Sequence, residues 1–204
     1  SHKGVHADFL PPDRHAFKYD EVLIPTPPTP LSHPTLFTDP PMWVRNQSNS
    51  RHGVEFAYYT GVDMKKYYRR YCEALLAVDD SVGRLLGNLE KSGELEDTVV
   101  LYLGDNGFIF GEHGLIDKRC AYDESIRIPM LMRYPKSLKP GTKVEKIVAN
   151  IDVAPTLLEV AGLKSKERID GESFWQLAKG KGSSDWRKYL LYEYYWERNY
   201  PQTP

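Results

Sequence analysis

The sequence predicts an α/β fold, part of a doubly wound mixed sheet flanked by helices, and three stretches carry that prediction. Between Asp63 and Ser92-Gly93, the residues Tyr68, Tyr71, Leu75, Val78, Val82, Leu85, Leu86 and Leu89 recur at steps of three and four, the period of an amphipathic helix. Val99-Val100-Leu101-Tyr102-Leu103 is an apolar run of strand length that stops abruptly at Gly104-Asp105-Asn106-Gly107. Ile128-Pro129-Met130-Leu131-Met132-Arg133-Tyr134 reads as the next strand, with Pro129 near its start, where a missing N–H is tolerated. A helix turned into a strand through Leu95-Glu96-Asp97-Thr98 is the unit from which such sheets are built.

Composition bounds the function classes. A chain of 204 residues can form one domain with a sizeable core, and 41% hydrophobic with 27% charged residues marks it as globular. Its net charge of −1 gives no electrostatic reason to expect nucleic acid or an anionic membrane surface as a partner. Two cysteines exclude a disulfide scaffold, and the chain has no run of about 18 apolar residues of the kind that spans a membrane.

Taken in order, residues 13–61 are proline-rich, stiffest at Pro25-Thr26-Pro27-Pro28-Thr29-Pro30, and predict an irregular excursion. Phe37, Met42, Trp43, Val54, Phe56, Tyr58 and Tyr59 supply anchors that favour an ordered surface loop over a free linker. Arg45, Asn46 and His52 are candidate ligand contacts there, beside their reading as solvated loop residues. In the helix, Cys72 is expected to be a small buried filler. Asp79-Asp80 is expected to be structural, because adjacent helix residues point apart and do not readily share one ion. Pro140-Gly141 is a turn before Val144 to Val148, and Asp152 is expected to cap a helix with Pro155 in its first turn and Gly162 after its end. Leu190-Leu191-Tyr192-Glu193-Tyr194-Tyr195-Trp196 alternates like a strand.

The chemistry gathers after the first strand. Asp105 and Asn106 offer two hard oxygen donors side by side, suited to Ca²⁺ or Mg²⁺ rather than to a soft metal. In parallel sheets, ligands bind at the carboxyl ends of strands, where these residues fall. Asp-Asn-Gly after a strand is also a common turn, since Asn and Gly tolerate positive φ. Glu112, His113 and Lys118 follow within one glycine-punctuated loop. Near the start, Lys3 offers a compact positive charge for an anion and His6 a proton near neutral pH.

Taken together, Asp105-Asn106-Gly107, Gly111-Glu112-His113-Gly114, Lys118 and Tyr122-Asp123-Glu124-Ser125-Ile126-Arg127-Ile128-Pro129 resemble, in this order, the sulfatases of the alkaline-phosphatase superfamily. The departure is slight: Asp123 stands where that family usually has glutamate. Ser1-His2-Lys3-Gly4-Val5-His6-Ala7-Asp8-Phe9 is similar to the family segment Ser-x-Lys-Ala-Pro-His-x-Pro-Phe, although a histidine-rich start also fits a purification tag. Asp152-Val153-Ala154-Pro155-Thr156-Leu157-Leu158 and Asp170-Gly171-Glu172-Ser173 extend the likeness over nearly the whole chain.

The resemblance implies that residues 1–182 are the C-terminal portion of the sulfatase α/β domain and residues 183–204 the start of a small C-terminal antiparallel subdomain. It implies Asp105 and Asn106 as ligands of one Ca²⁺. It gives Lys118 as the catalytic clamp on sulfate and His6 as the catalytic group that supports sulfate or protonates the leaving oxygen. Lys3 and His113 would contact substrate, with Glu112 and His113 orienting each other. Sulfatases use a formylglycine made within a Cys/Ser-x-Pro/Ala-x-Arg motif as covalent nucleophile. Cys72 is followed by Glu-Ala-Leu-Leu and Cys120 by Ala-Tyr-Asp-Glu, so neither qualifies. The chain is therefore expected to be part of a larger enzyme and inactive alone, the nucleophile and the rest of the metal site lying in an N-terminal half.

The implied partner is a sulfated small molecule or glycan. Pro41-Met42-Trp43-Val44-Arg45-Asn46-Gln47 points to the bacterial aryl- and glycan-sulfatase type and so to a sulfated carbohydrate. By family inference the location is periplasmic, cell-surface or secreted. Two rivals stand beside this. A phosphonate monoester hydrolase or phosphodiesterase of the same superfamily would use the same metal and lysine, but such relatives more often carry Asp-His-Gly, so Asn106 favours sulfate. The other rival is a non-catalytic module that holds sulfated glycans without cleaving them.

Overall fold

A computed structural model describes residues 4–6, 9–27, 63–116, 118, 121–182 and 184–194. Lys3, Cys120, and the excursion beyond residue 27 with Arg45, Asn46, His52 and its aromatic anchors lie outside the described residues. The chain divides into two compact units, residues 1–88 with 106–128 and 193–204, and residues 89–105 with 129–192.

The long helix α1 spans Met64–Lys91. Asp63 starts it as expected, its Oδ1 accepting the N–H groups of Lys65 at 2.9 Å and Lys66 at 3.3 Å. Gly93 at φ 74° ends it, and the N–H of Glu94 closes back on the Leu89 carbonyl at 2.9 Å. The covered face follows the periodic stripe, with Val78 buried and Tyr68, Tyr71, Leu75, Val82, Leu86 and Leu89 half-buried, and departs from it in adding Tyr67 and Ala74 and leaving Leu85 out. Tyr67, Ala74 and Val78 are buried, whereas Leu85 is 58% exposed. An apolar stripe this long is wider than any one contact, and only the packed partner selects which residues are covered.

Tyr67 is covered by Phe9, with ring centres 4.6 Å apart, in a cluster that Ile116, Tyr71, Phe108 and Phe110 complete. Further along α1, Asp80 Oδ2 accepts hydrogen bonds from Arg14 Nε at 2.9 Å and His15 Nε2 at 2.7 Å. Those bonds, from His15 first and then Arg14, hold the Asp80 carboxyl below the ordinary carboxylate range. Asp80 thus fastens residues 14 and 15 to the helix, a structural role. Burial pushes the Cys72 thiol up, which suits a filler rather than a nucleophile.

In the other unit, strand β1 (Val100–Leu103) pairs with strand β2 (Met130–Arg133), with Leu103 opposite Met130 and Val100 opposite Arg133. The pairing is antiparallel, so the parallel-sheet argument for the site does not apply to these two strands. Topology supplies another: β2 begins beside the end of β1, so the intervening chain departs and returns at one end of the pair. Arg133 ties β2 to the turn before β1, donating to the Leu95 carbonyl at 2.9 Å and to Glu96 Oε1 at 2.8 Å. Met130, Met132 and Tyr134 alternate onto a core of Phe174, Trp175, Leu177, Ala178 and Trp186.

Helix α3 (Val153–Val160) follows Asp152 as predicted and ends before Gly162 at φ 69°. The carboxylate of Asp152 does not cap it. Asp152 is fully buried, Oδ2 accepting from the Ala149 N–H at 2.8 Å and Oδ1 from the Glu172 N–H at 2.8 Å and Arg187 Nη2 at 2.6 Å. An aspartate with an arginine within reach gains more there than from the helix end. The strand expected at residues 190–196 is not formed over residues 190–194, where Leu191 is 80% exposed; the remainder lies outside the described residues. Alternation alone cannot make a strand without a neighbour to pair its backbone.

Candidate active site

The loop after β1 is built by two apolar teeth facing opposite ways. Phe108 and Phe110 enter the Phe9 and Tyr67 cluster, while Ile109 is buried with Leu115 against Tyr122. Phe9 in turn closes a turn with His6, its N–H donating to the His6 carbonyl at 3.0 Å. The exposed His6 is thereby carried by the same aromatic cluster that anchors the loop beyond Asn106.

Gly107 seats that loop. Its N–H donates to the Ser125 carbonyl at 2.7 Å, and a Cβ here would lie 2.1 Å from the Glu124 carbonyl oxygen and 3.0 Å from that of Arg127. Only glycine permits this approach to the short helix α2 (Asp123–Ile126). The neighbouring Asn106 is half-buried and its Nδ2 donates to the Gly107 carbonyl at 2.7 Å. With the amide donor used on its own loop, Oδ1 is the Asn106 atom that suits a hard cation. Asp105 is exposed, and its carbonyl accepts from Asn150 Nδ2 at 3.2 Å.

Asp105 and Asn106 supply two oxygen donors, of the right type for Ca²⁺ but fewer than the six to eight it takes. Among the described residues no three His, Cys, Asp or Glu side chains gather into a metal-holding group. The pair fits part of a coordination set.

Glu112 and His113 serve different partners, contrary to the expectation that they orient each other. Glu112 Oε2 accepts from the Phe110 N–H at 2.7 Å, turning the loop, and His113 Nε2 meets Glu124 Oε2 at 3.0 Å. The His113 backbone is left-handed at φ 55°, a conformation that costs a non-glycine residue on the order of 1–2 kcal/mol. Adjacent side chains in a helical turn point apart, and this twist directs the His113 ring toward Glu124. The Glu124 carboxyl is held below its ordinary range by its own backbone N–H first, and by His113 after a partial offset from burial. Lys118 is half-buried, and its carbonyl accepts a hydrogen bond from Ser125 Oγ.

Helix α2 therefore collects three candidate residues: Asn106 through Gly107, Lys118 through Ser125, and His113 through Glu124. Gly107, Ser125 and Glu124 were not singled out as site residues from the sequence. The signal for Gly107 was present in the Asp-Asn-Gly turn, but its steric role needs the helix beside it.

Comparison with known proteins then bears on the family. A family profile described as N-sulphoglucosamine sulphohydrolase, C-terminal, matches residues 111–203, the stretch that includes α2. N-acetylglucosamine-6-O-sulfatase of Bacteroides thetaiotaomicron is 40% identical over 167 residues, covering 76% of this chain. The chain belongs to the sulfatase family. The chain spans 30% of the length of that relative. A solved protein in complex with its substrate D-glucosamine-2-N,6-O-disulfate superposes with a TM-score of 0.74 at 28% identity, covering 94% of this chain and 50% of the solved one. A phosphonate monoester hydrolase of Silicibacter pomeroyi shares the fold with a TM-score of 0.79 at 24% identity, covering 90% of this chain and 37% of that one. The fold is thus the α/β sulfatase fold, and the fold alone does not separate sulfate from phosphonate chemistry.

Proposed function

We propose that this chain is part of a sulfatase that hydrolyses sulfate esters of a carbohydrate, and that it is inactive alone. The observation that carries the proposal is the convergence on α2 of the Asn106 loop, the Lys118 segment and His113, three elements that one tetrahedral oxyanion would need. In this reading residues 1–182 belong to the α/β domain and residues 183–204 open a C-terminal subdomain. The named relatives, which act on sulfated glucosamine, support a sulfated amino sugar as substrate class.

The residues of this chain have separable tasks. The Lys118 ammonium offsets charge on the sulfate oxygens, most usefully where that charge grows in the transition state. His6 holds the proton that the leaving alcohol oxygen requires. His113 and Lys3 contact the substrate. Asp105 and Asn106 hold part of the coordination shell of one Ca²⁺, which when bound adds further neutralisation of the sulfate. A formylglycine supplies the nucleophile from a residue other than Cys72 or Cys120. Export to the periplasm, cell surface or medium accords with the family; among the described residues no helix is long and apolar enough to cross a membrane.

The test is hydrolysis of a chromogenic aryl sulfate, with the matching aryl phosphate and phosphonate monoester as controls, by this chain and by the whole protein that contains it. Turnover of sulfate by the whole protein, lost in Asp105→Ala and Lys118→Ala, is expected, with this chain inert. Preference of the whole protein for the phosphonate would overturn the assignment. Binding of the glycan without turnover would point to the non-catalytic module.

A further inference from the structure

Ser125 is 2% exposed and sits within the four-residue helix α2. Its two polar groups reach two different segments of the candidate site. The carbonyl accepts the Gly107 N–H at 2.7 Å, and Oγ donates to the Lys118 carbonyl. A serine hydroxyl in a helix commonly bonds back to the carbonyl four residues before it, which here belongs to Ala121. This one reaches instead to a carbonyl seven residues back, outside the helix. A buried hydroxyl left without a partner is costly, so the bond to the Lys118 carbonyl is firmly demanded. On the opposite side, the absent Cβ of Gly107 lets the Asp-Asn-Gly loop lie directly on the backbone of Glu124.

We infer that Ser125 is the positioning residue of this site, setting the separation between the Asn106 segment and the Lys118 segment by bonding both through one residue. What the separation serves rests on the sulfatase reading: an oxygen ligand and an ammonium must meet the same oxyanion. A displacement of about 1 Å in such an arrangement costs on the order of 10²-fold in rate. Ser125 touches neither substrate nor metal in this scheme; it acts through Lys118. The Gly107 bond uses the backbone of Ser125 and survives side-chain substitution, so the two arms can be separated experimentally.

The experiment uses the whole protein with Ser125→Ala, read by amide hydrogen exchange and by steady-state kinetics on an aryl sulfate. Exchange across residues 115–121 is expected to rise about tenfold or more while the Gly107 amide stays protected. The kcat is expected to fall about 10- to 100-fold with KM changed by less than about threefold. Unchanged exchange over residues 115–121, or an unchanged kcat in a parent that turns over sulfate, would overturn the inference. A parent that turns over no sulfate removes the sulfatase reading instead, and the exchange arm still decides whether Ser125 holds the Lys118 segment. Should Ser125→Ala not fold, Ser125→Cys carries the same readouts: a thiol donates too weakly to hold the carbonyl, so parental exchange and kcat in that variant would also overturn it.

Discussion

The His113 imidazole lies flat on the Tyr122 ring, with centres 3.9 Å apart and planes 10° from parallel, while its Nε2 meets Glu124 at 3.0 Å. Stack and hydrogen bond together fix the orientation of the ring. In the whole protein His113→Ala is expected to raise KM for a sulfated amino sugar at least tenfold and to change KM for a plain aryl sulfate by less than about threefold. Parallel kinetics on the two substrates check this. Equal losses on both would assign His113 to holding the loop.

Gly107→Ala is expected to be disruptive far beyond a methyl group. The added Cβ would meet the backbone carbonyls of Glu124 and Arg127, which cannot rotate away as a side chain can. Overpacking of this kind costs about 1–3 kcal/mol. Urea unfolding should show that loss, and aryl sulfate turnover by the folded variant should fall more steeply than its stability, because Asn106 moves with the loop.

Asp152→Ala tests the core of the other unit. It would strand the Arg187 guanidinium, which is mostly buried, and remove the acceptor of the Ala149 and Glu172 N–H groups. Removing one member of a buried pair costs about 3–5 kcal/mol. Chemical denaturation should show a loss of that size. A loss under about 1 kcal/mol would mean the aspartate contributes no more than the helix cap that sequence alone suggests.

Acid sensitivity at the residue 14–15 attachment follows from Asp80. Its folded carboxyl is held below the unfolded value of about 3.9, so the stabilisation is present above that pH and lost as pH falls through the lower folded value. Asp80→Asn should destabilise the protein at neutral pH and flatten the fall in thermal midpoint below about pH 4. An unchanged acid limb would assign that fall to other carboxylates.

The candidate site is legible in the chain because its motifs are local. Asp105-Asn106-Gly107, Lys118 and the Tyr122 to Pro129 string are contiguous patterns, and a glycine or proline within them announces its backbone demand directly. The helix from Asp63 to Gly93 and the strands around Leu101 and Met132 were legible for the same reason: caps, breakers and periodicity lie within a few residues of one another.

What the sequence by itself determined is therefore the family, the long helix, the strands around Leu101 and Met132, the helix after Asp152 and the order of the candidate residues. Tertiary structure decided the partners. That Asp152 turns to Arg187 instead of capping α3, that His113 pairs with Glu124 instead of Glu112, and that Tyr67 rather than Leu85 is covered on α1 depend on groups distant in the chain or on a left-handed backbone at one residue. Polar side chains take whichever partner a fold presents with the shortest reach and least desolvation, and periodicity carries no information about which partner that is.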